Sequence, residues 1–322
     1  MGVAGKQLRV KLNNGQFMPA VATGTAPMKE MSPEFVIEAI EVGYRHFDTA
    51  AMYGIEAILG KGLQQAFTQG LVKREDIFVT TKLWVTDLNA PDIVPSLKKC
   101  LSALQLEYVD MFVPHWPVRI RPGSMWFQLA PEDFLPLDLP ACWKAFEECV
   151  HLGLTKGIGA GNCGIKNLKL LMADATIPPA INQIERHPGH ERREIVEFCQ
   201  KHGIHVQGWA ALGAPNYGVL PLGAYGTNVV LESPILIKIG AKYGKTSAQV
   251  ALRWNLDQGC SVVVRSTKRE RMAQNLDLFD FSLTPQELVD IRGVEPNIID
   301  PGTFFVSAGS PYKTPADMWA ED

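Results

Sequence analysis

Residues 44–54 read YRHFDTAAMYG, residues 77–84 read IFVTTKLW and residues 108–117 read YVDMFVPHWP. Each stretch is a short apolar run that stops at one polar residue. Apolar strands that present reactive side chains at their carboxyl ends are typical of barrel enzymes. These stretches therefore predict parallel strands that converge on one catalytic face.

The polar residues at these strand ends form a chemically coherent set. Asp48, Lys82 and His115 end the runs, and Tyr53 lies in the loop after the first one. A phenol is a proton donor, and a nearby ammonium group stabilises its anion. Tyr, Lys, Asp and His together thus suit proton delivery to a carbonyl oxygen.

Regular alternation of strands and helices extends this pattern along the chain. Helix starts are indicated by Ser32-Pro33 and by the capping box from Thr284 to Glu287. The first segment, LRVKLNNGQFMP, predicts a β-hairpin with a two-residue turn at Asn14-Gly15. We predict an α/β fold, a single (β/α)8 TIM barrel whose closed end the hairpin covers. Its predicted strands are residues 21–25, 45–49, 77–82, 109–114, 157–160, 180–184, 205–209 and 261–264.

The composition is that of an ordinary globular protein. Of its 322 residues 46% are hydrophobic and 20% charged, and the net charge of -3 gives no reason to expect nucleic-acid binding. No apolar run approaches the ~20 residues of a membrane span, and the first residues lack a signal peptide's apolar core. The six cysteines are dispersed without a CxxC motif, which predicts reduced thiols in a cytoplasmic protein. No linker divides the chain, so residues 1–322 are predicted to be one domain.

Residues 117–139, 212–232 and 296–322 are longer than barrel connections require. Such loops are usually functional. Aromatic side chains on them, including Trp126 and Phe304, could wall a pocket for a bulky apolar substrate or could simply pack over the barrel.

A nucleotide site is indicated at the last strand rather than the first. No GxGxxG motif follows the first strand, so a Rossmann site is unsupported. Arg265, Ser266 and Thr267 follow the last strand, and Lys268 opens a basic helix start. Hydroxyl and guanidinium groups at a helix N-terminus form an anion site that suits a nucleotide 2′-phosphate. A solvated basic turn capped by Ser266 is the alternative interpretation.

Several spaced motifs in this order make the chain resemble the aldo-keto reductases. Among them it is most similar to plant reductases of the codeinone, chalcone, methylecgonone and deoxymugineic-acid type. The motifs are GYRHFDTAAMYG at 43–54, TTKLW at 80–84, HWP at 115–117, GIGAGNCGIKNL at 157–168, NQIERHP at 182–188, VVVRSTKRERMAQN at 262–275 and SPYKTPADMW at 310–319.

The resemblance implies a role for each catalytic candidate. Tyr53 would be the proton donor, Lys82 would lower its pKa, and Asp48 would keep Lys82 charged and oriented. His115 would hydrogen-bond the substrate carbonyl. Histidine at this position favours reduction of carbonyl groups over that of carbon–carbon double bonds.

The resemblance also implies NADPH as cofactor, held by residues at several strand ends. Arg265 replaces a usual lysine, Gly161 replaces a usual serine, and Trp209 replaces a usual tyrosine. The nicotinamide would be bound by Asn162 and Gln183 and stacked on Trp209, and its ribose would lie near Gly24 and Thr25. The phosphate would be held by Arg265, Ser266, Thr267 and Arg271. The adenine would contact Asn275.

The substrate pocket follows from the same comparison. Ala26 stands where many relatives have a bulky aromatic residue, which would widen the pocket, and Trp84 and Trp116 would line it with Trp126 and Phe304. The tail 296–322 would fold over the active site. A plant specialised metabolite or reactive carbonyl is the expected substrate, and a monomer the expected state. Alternatives are a cofactor-binding regulatory or redox-sensing relative and a metal-dependent hydrolase using Asp48 and His115, although no HxH cluster supports a metal.

Overall fold

The computed structural model describes residues 8–26, 31–215, 228–307 and 309–319. Its centre is a parallel eight-stranded sheet in the order β6-β5-β4-β3-β10-β9-β8-β7, preceded by an antiparallel pair, β1-β2. The strands are β1 Arg9–Lys11, β2 Phe17–Pro19, β3 Val21–Gly24, β4 His46–Asp48, β5 Phe78–Leu83, β6 Met111–Pro114, β7 Ala160–Gly161, β8 Ile181–Glu185, β9 His205–Trp209 and β10 Ser261–Val264.

Helices surround the sheet and cover the outward-facing strand residues. Most of them are amphipathic and bury apolar residues on one face. They are α1 Pro33–Val42, α2 Glu56–Thr68, α3 Ala90–Leu104, α4 Leu139–His151, α5 Ile165–Ala173, α6 Arg193–Lys201, α7 Pro234–Tyr243, α8 Ser247–Asp257, α9 Arg269–Leu276, α10 Pro285–Asp290 and α11 Pro315–Trp319. The predicted TIM barrel is confirmed.

The barrel closes beside β7, where the regular strand is shorter than the predicted range 157–160 and ends one residue later. Continuous pairing covers only Ala160–Gly161, while Ile158 makes an isolated parallel bridge to Phe112. The segment packs tightly, because a Cβ atom at Gly159 would lie 2.6 Å from Ile181 and one at Gly161 2.1 Å from the Pro114 carbonyl oxygen. Close backbone approach therefore takes the place of side-chain packing here.

The N-terminal hairpin exists, but its turn differs from the predicted one. Leu12 N donates to Gln16 O at 2.8 Å and Gly15 N to Leu12 O at 3.0 Å, so the loop contains Asn13, Asn14 and Gly15. Gly15 has a φ of 86°, as a three-residue loop with a left-handed last residue requires. The hairpin packs against the first residues of the barrel strands and covers their amino ends, as predicted.

Both predicted helix starts are present. Ser32 Oγ accepts the Phe35 backbone N–H at the start of α1, and proline occupies the first turn. Thr284 and Glu287 form the reciprocal capping box of α10. These caps satisfy backbone donors that helix geometry leaves unpaired.

The C-terminal tail packs onto the barrel at the carboxyl ends of the strands. Glu185, the last residue of β8, accepts backbone N–H groups from Ile299 at 2.6 Å and Asp300 at 2.8 Å. Trp319 Nε1 donates to Pro301 O at 3.1 Å, and the Tyr312 hydroxyl donates to Pro117 O at 3.2 Å. Much of the second long segment, 216–227, lies outside the described residues.

All six cysteines are buried free thiols, as predicted. In the part of the chain that the structure describes, no helix has the length and apolarity needed to cross a membrane.

Candidate active site

The four strand-end residues converge at the carboxyl end of the barrel. Asp48 ends β4, Lys82 lies near the end of β5, and His115 immediately follows β6. Tyr53 ends the short 3-10 helix Ala51–Tyr53 after β4. Parallel pairing of β4 with β5 and of β5 with β6 brings these positions together.

Lys82 and Asp48 form a buried ion pair. Lys82 Nζ lies 2.5 Å from Asp48 Oδ1 and donates to Thr49 O at 2.9 Å. The second Asp48 oxygen, Oδ2, accepts Gln183 Nε2 at 2.6 Å. Buried charges are tolerated when they are paired and hydrogen-bonded, as these are. Gln183, predicted as a cofactor ligand, therefore also orients the Asp48 carboxylate.

Tyr53 lies between the ion pair and the imidazole. Its ring centroid is 5.4 Å from Lys82 Nζ and 5.6 Å from the His115 ring. Burial raises the pKa of Tyr53 above its ordinary value, and the negative charge of Asp48 raises this pKa further. The net direction is therefore opposite to the predicted lowering of this pKa, because burial and the Asp48 charge outweigh any attraction between the phenolate and Lys82. Tyr53 is consequently a phenol at neutral pH, the form a proton donor needs.

His115 is held as a neutral imidazole. Burial lowers its pKa well below the ordinary value, and the Lys82 charge lowers that pKa further. Its Nδ1 atom is buried, and none of the described residues offers it a hydrogen-bond partner. A neutral ring has one N–H to donate and one bare nitrogen. His115 can therefore donate to a carbonyl oxygen without placing a second positive charge beside Lys82.

Asn162 is clamped between two neighbours. Its Nδ2 donates to His115 O at 2.9 Å, and its Oδ1 accepts the Trp209 indole N–H at 2.9 Å. Its backbone has a φ of 51°, in the left-handed region that asparagine tolerates. The clamp fixes the side-chain amide, and the remaining N–H and lone pair can face a ligand.

One cleft of about 920 Å³ joins these residues to the end of β10. This volume is in the upper part of the range of roughly 300–1,000 Å³ typical of small-molecule sites. Most of the predicted site residues line it: Gly24, Ala26, Asp48, Tyr53, His115, Trp116, Asn162, Gln183, Trp209, Arg265, Ser266, Thr267, Arg271 and Asn275.

The far end of the cleft is basic and exposed. Lys268 and Arg271 line it, and none of the described carboxylates lies within 4 Å of either. Ser266 Oγ accepts the Lys268 backbone N–H at 3.1 Å, the turn capping of the alternative interpretation, yet Ser266 also lines the cleft. The Arg265 guanidinium donates to Ala26 O at 2.5 Å across the cleft. Lys268 and Arg271, beside the N-terminus of α9, fit the phosphates of a dinucleotide.

Five of the predicted residues are placed outside the cleft wall, and one of them is the buried Lys82. Thr25 is fully buried, and its hydroxyl donates to Asp48 O at 3.0 Å, so it supports β4 instead of facing a ribose. Trp84, Trp126 and Phe304 form a chain of edge-to-face contacts next to His115, with ring centroids 5.2 Å apart for Trp84 and His115, 6.1 Å for Trp84 and Trp126, and 4.8 Å for Trp126 and Phe304. This aromatic chain borders the catalytic histidine.

Several lining residues were not predicted from the sequence. Asp300 reaches the cleft because Glu185 binds the tail backbone, and the sequence contains no signal for that contact. Burial raises the pKa of Asp300 to about 7. Five more belong to the segment 212–232, which was expected to border the pocket without any one residue being named: Leu212, Ala214, Pro215, Asn228 and Leu231. The remaining lining residues have no chemical motif of their own: Ala210, Ala211, Thr246, Ser247, Ala248, Val263, Val264 and Gln274.

A (β/α)8 barrel with an acid–base group beside a dinucleotide-sized cleft defines a class of oxidoreductases. Residues 18–296 match the profile of the Aldo/keto reductase family. Protein REDOX 2 of Catharanthus roseus is 41% identical over 97% of both chains, and rhazimal reductase 2 of Alstonia scholaris is 42% identical over 97% of both. A Bombyx mori aldo-keto reductase solved with NADP superposes with a TM-score of 0.81 at 34% identity, covering 90% of this chain and 93% of that one.

The chain belongs to the aldo/keto reductase family. It is accordingly an NADP-dependent oxidoreductase that reduces carbonyl groups.

Proposed function

We propose that this protein is an NADPH-dependent carbonyl reductase in which Tyr53 donates the proton to the substrate oxygen. The observation that carries the proposal is the convergence of Tyr53, His115 and the Lys82–Asp48 pair at one end of a cleft whose other end is basic. When bound, the reduced nicotinamide supplies the hydride that the protein itself cannot store.

Proton transfer begins from a neutral phenol. As hydride reaches the carbonyl carbon, the oxygen gains charge and takes the Tyr53 proton. The phenolate left behind is stabilised by the Lys82 ammonium, which lies 5.4 Å from the ring. Asp48 holds that ammonium in place, since its carboxylate accepts hydrogen bonds from both Lys82 and Gln183.

His115 orients the substrate. Its neutral ring donates one hydrogen bond to the carbonyl oxygen and turns that oxygen toward the Tyr53 hydroxyl. Positioning of this kind lowers the barrier because the reacting groups need no further ordering. The bordering rings of Trp84 and Trp126 limit the approach of water and contact apolar parts of the substrate.

The other end of the cleft would hold the nucleotide. Asn162 and Gln183 carry amide groups that match the carboxamide of nicotinamide, and Trp209 offers an indole face for stacking. Lys268, Arg271 and Ser266 suit a 2′-phosphate, which explains a preference for NADPH over NADH. Asn275 is nearly buried at this end, within reach of the adenine.

The substrate is proposed to be a bulky aldehyde or ketone, either a plant specialised metabolite or a reactive carbonyl. Near-full-length similarity to rhazimal reductase 2 and to other plant enzymes supports this class. Half-buried Trp126 and Phe304 provide apolar surface for such a substrate. A cytoplasmic monomer is part of the same proposal.

Replacement of the proposed acid tests the assignment. Tyr53→Phe should lower turnover of a carbonyl panel, followed by NADPH absorbance, by about 10²- to 10⁴-fold, the usual value of a general acid. Affinity for NADPH should not change. Tyr108→Phe is the matched control, because that ring packs between Arg74 and Lys156 away from the cleft. Near-normal turnover by Tyr53→Phe would show that the acid is misassigned, and binding of NADPH without turnover of any carbonyl would favour a sensor.

A further inference from the structure

Among the described residues, two carboxylates face the cleft, and they differ in their electrostatic surroundings. Asp48 is neutralised by Lys82. Asp300 has no such partner, since none of the described lysine, arginine or histidine side chains lies within 4 Å of its carboxylate. The charged group that influences it is another carboxylate, Glu185, behind it in the barrel. Asp300 therefore gives this part of the cleft an uncompensated acidic group.

The Asp300 carboxylate is held in a defined orientation. Its backbone N–H donates to Glu185 Oε2 at 2.8 Å, and its Oδ1 accepts the Gly302 N–H at 2.9 Å. Gly302 has a φ of 82°, and a Cβ atom there would lie 2.8 Å from Met318. This turn therefore requires glycine at position 302, because other residues rarely adopt such a backbone conformation. Its second carboxylate oxygen accepts no hydrogen bond from the described residues and remains able to accept one.

Aromatic faces accompany this acidic group. Trp116 lines the same cleft as Asp300, and its ring lies 3.3 Å from the position of a Cβ atom at Gly302 in the same turn. Trp116 is fixed by edge-to-face contacts with Phe305 at 5.7 Å and Trp319 at 5.6 Å. Indole rings attract cations through their negative faces, and a carboxylate adds a charge-assisted hydrogen bond. Together they recognise an ammonium group better than a neutral one.

We infer that the preferred carbonyl substrates of this enzyme carry a protonated amine, which Asp300 binds while the carbonyl group lies at Tyr53 and His115. The inference rests on the proposed function and names the substrate class of the same site. The substrate's ammonium group favours the ionised form of the Asp300 carboxylate, because it supplies a positive charge next to this buried group.

A matched pair of aldehydes tests this inference. Para-(dimethylaminomethyl)benzaldehyde is a cation at neutral pH, and para-isobutylbenzaldehyde has nearly the same shape without charge. Wild-type kcat/KM should favour the cation by about 10-fold or more, the range of a hydrogen bond to a charged group. Asp300→Asn should lose this preference and keep its kcat/KM for the neutral aldehyde within about 2-fold, since asparagine still accepts the Gly302 N–H.

Glu295→Gln is the control, because it removes the same charge from an exposed position of the same segment. It should leave the preference unchanged. The inference is overturned if the wild type does not prefer the cation, or if Asp300→Asn lowers both activities equally.

A binding measurement separates this inference from the proposed function. The two alcohols that correspond to the aldehydes can be titrated into the enzyme with NADP by calorimetry. If neither aldehyde is reduced, the proposed function fails for this class, yet tighter binding of the ammonium alcohol to wild type than to Asp300→Asn would still support Asp300 as the amine site. Equal binding of both alcohols would overturn it.

Discussion

The two ends of the cleft handle charge in opposite ways. At the catalytic end, Lys82 and Asp48 are almost fully buried, and their polar atoms bond to each other or to neighbours. At the basic end, Lys268 and Arg271 are exposed, and no carboxylate of the described chain lies within ion-pair distance of them.

This difference follows from solvent. A buried charge without a partner costs several kcal/mol, so the catalytic lysine must be paired before any substrate arrives. Water solvates an exposed lysine or arginine at little cost, so the basic end can keep its charge free for phosphate. The catalytic end is therefore preorganised, whereas the basic end supplies mainly electrostatic attraction.

Replacing one lysine at each end of the cleft should impair different properties of the protein. Lys82→Met leaves Asp48 buried and unpaired, so we expect a loss of about 3–5 kcal/mol in the free energy of unfolding. Turnover should fall by about 10²-fold or more, because the phenolate loses its stabilising cation. Lys268→Met should change neither the free energy of unfolding nor the turnover by a comparable amount. It should raise only the KM for NADPH. Urea denaturation and steady-state kinetics measure both effects, and equal destabilisation by the two variants would contradict the comparison.

The basic end can be examined by itself with two arginines of α9. Arg271→Ala should raise the KM for NADPH about 10-fold, the value of a charge-assisted bond to phosphate, with kcat and the KM for NADH unchanged. The KM for NADPH should also depend less on salt than in the wild type.

Arg269→Ala is the control. Its guanidinium pairs with Glu41 at 3.1 Å and Glu38 at 3.7 Å on α1. We expect less than about a 2-fold change in the KM for NADPH, as for other exposed ion pairs. An equal effect of both substitutions would mean that helix charge in general, and no specific contact, holds the phosphate.

Trp209 is linked to His115 by hydrogen bonds through Asn162. Its indole N–H donates to Asn162 Oδ1, and Asn162 Nδ2 donates to His115 O. Trp209→Phe keeps a stacking ring but removes the 2.9 Å hydrogen bond to Asn162 Oδ1. We expect NADPH to dissociate about 3- to 10-fold more readily, the value of one hydrogen bond, with a smaller decrease in kcat. Fluorescence titration with NADPH measures the affinity. Unchanged affinity would show that stacking alone holds the ring.

The smallest expected effect concerns pH. The lowered pKa of His115 means that it stays neutral through the range where an ordinary histidine, with a pKa near ~6.5, gains its proton. With a neutral aldehyde, kcat should vary by less than about 2-fold between about pH 5.5 and 7.5. An inflection near pH ~6.5 would show that His115 titrates normally.

Much of the catalytic end could be predicted from the sequence, because each residue ends an apolar strand. A polar side chain after such a run has one probable place in a barrel, the carboxyl end. The Tyr53 pKa could not be predicted in this way. Its direction depends on burial and on the Asp48 charge, and both are three-dimensional properties.

Other differences have equally local causes. Thr25 was expected at the ribose, but its hydroxyl donates inward to Asp48 O. The regular part of β7 is shorter than the predicted strand 157–160, although Gly157 and Gly159 still form main-chain hydrogen bonds with Phe112. The place of Asp300 in the cleft could not be predicted from the sequence, because it depends on a hydrogen bond to Glu185, 115 positions away in the chain.

Glu185 binds the tail through the main-chain N–H groups of Ile299 and Asp300. Every residue except proline carries such a donor, so the anchor does not depend on which side chains the tail presents. The segment can therefore exchange those side chains during evolution without losing its attachment to the barrel. A reductase built in this way can acquire new substrates by point changes in its tail, while the hydride and proton chemistry below stays intact.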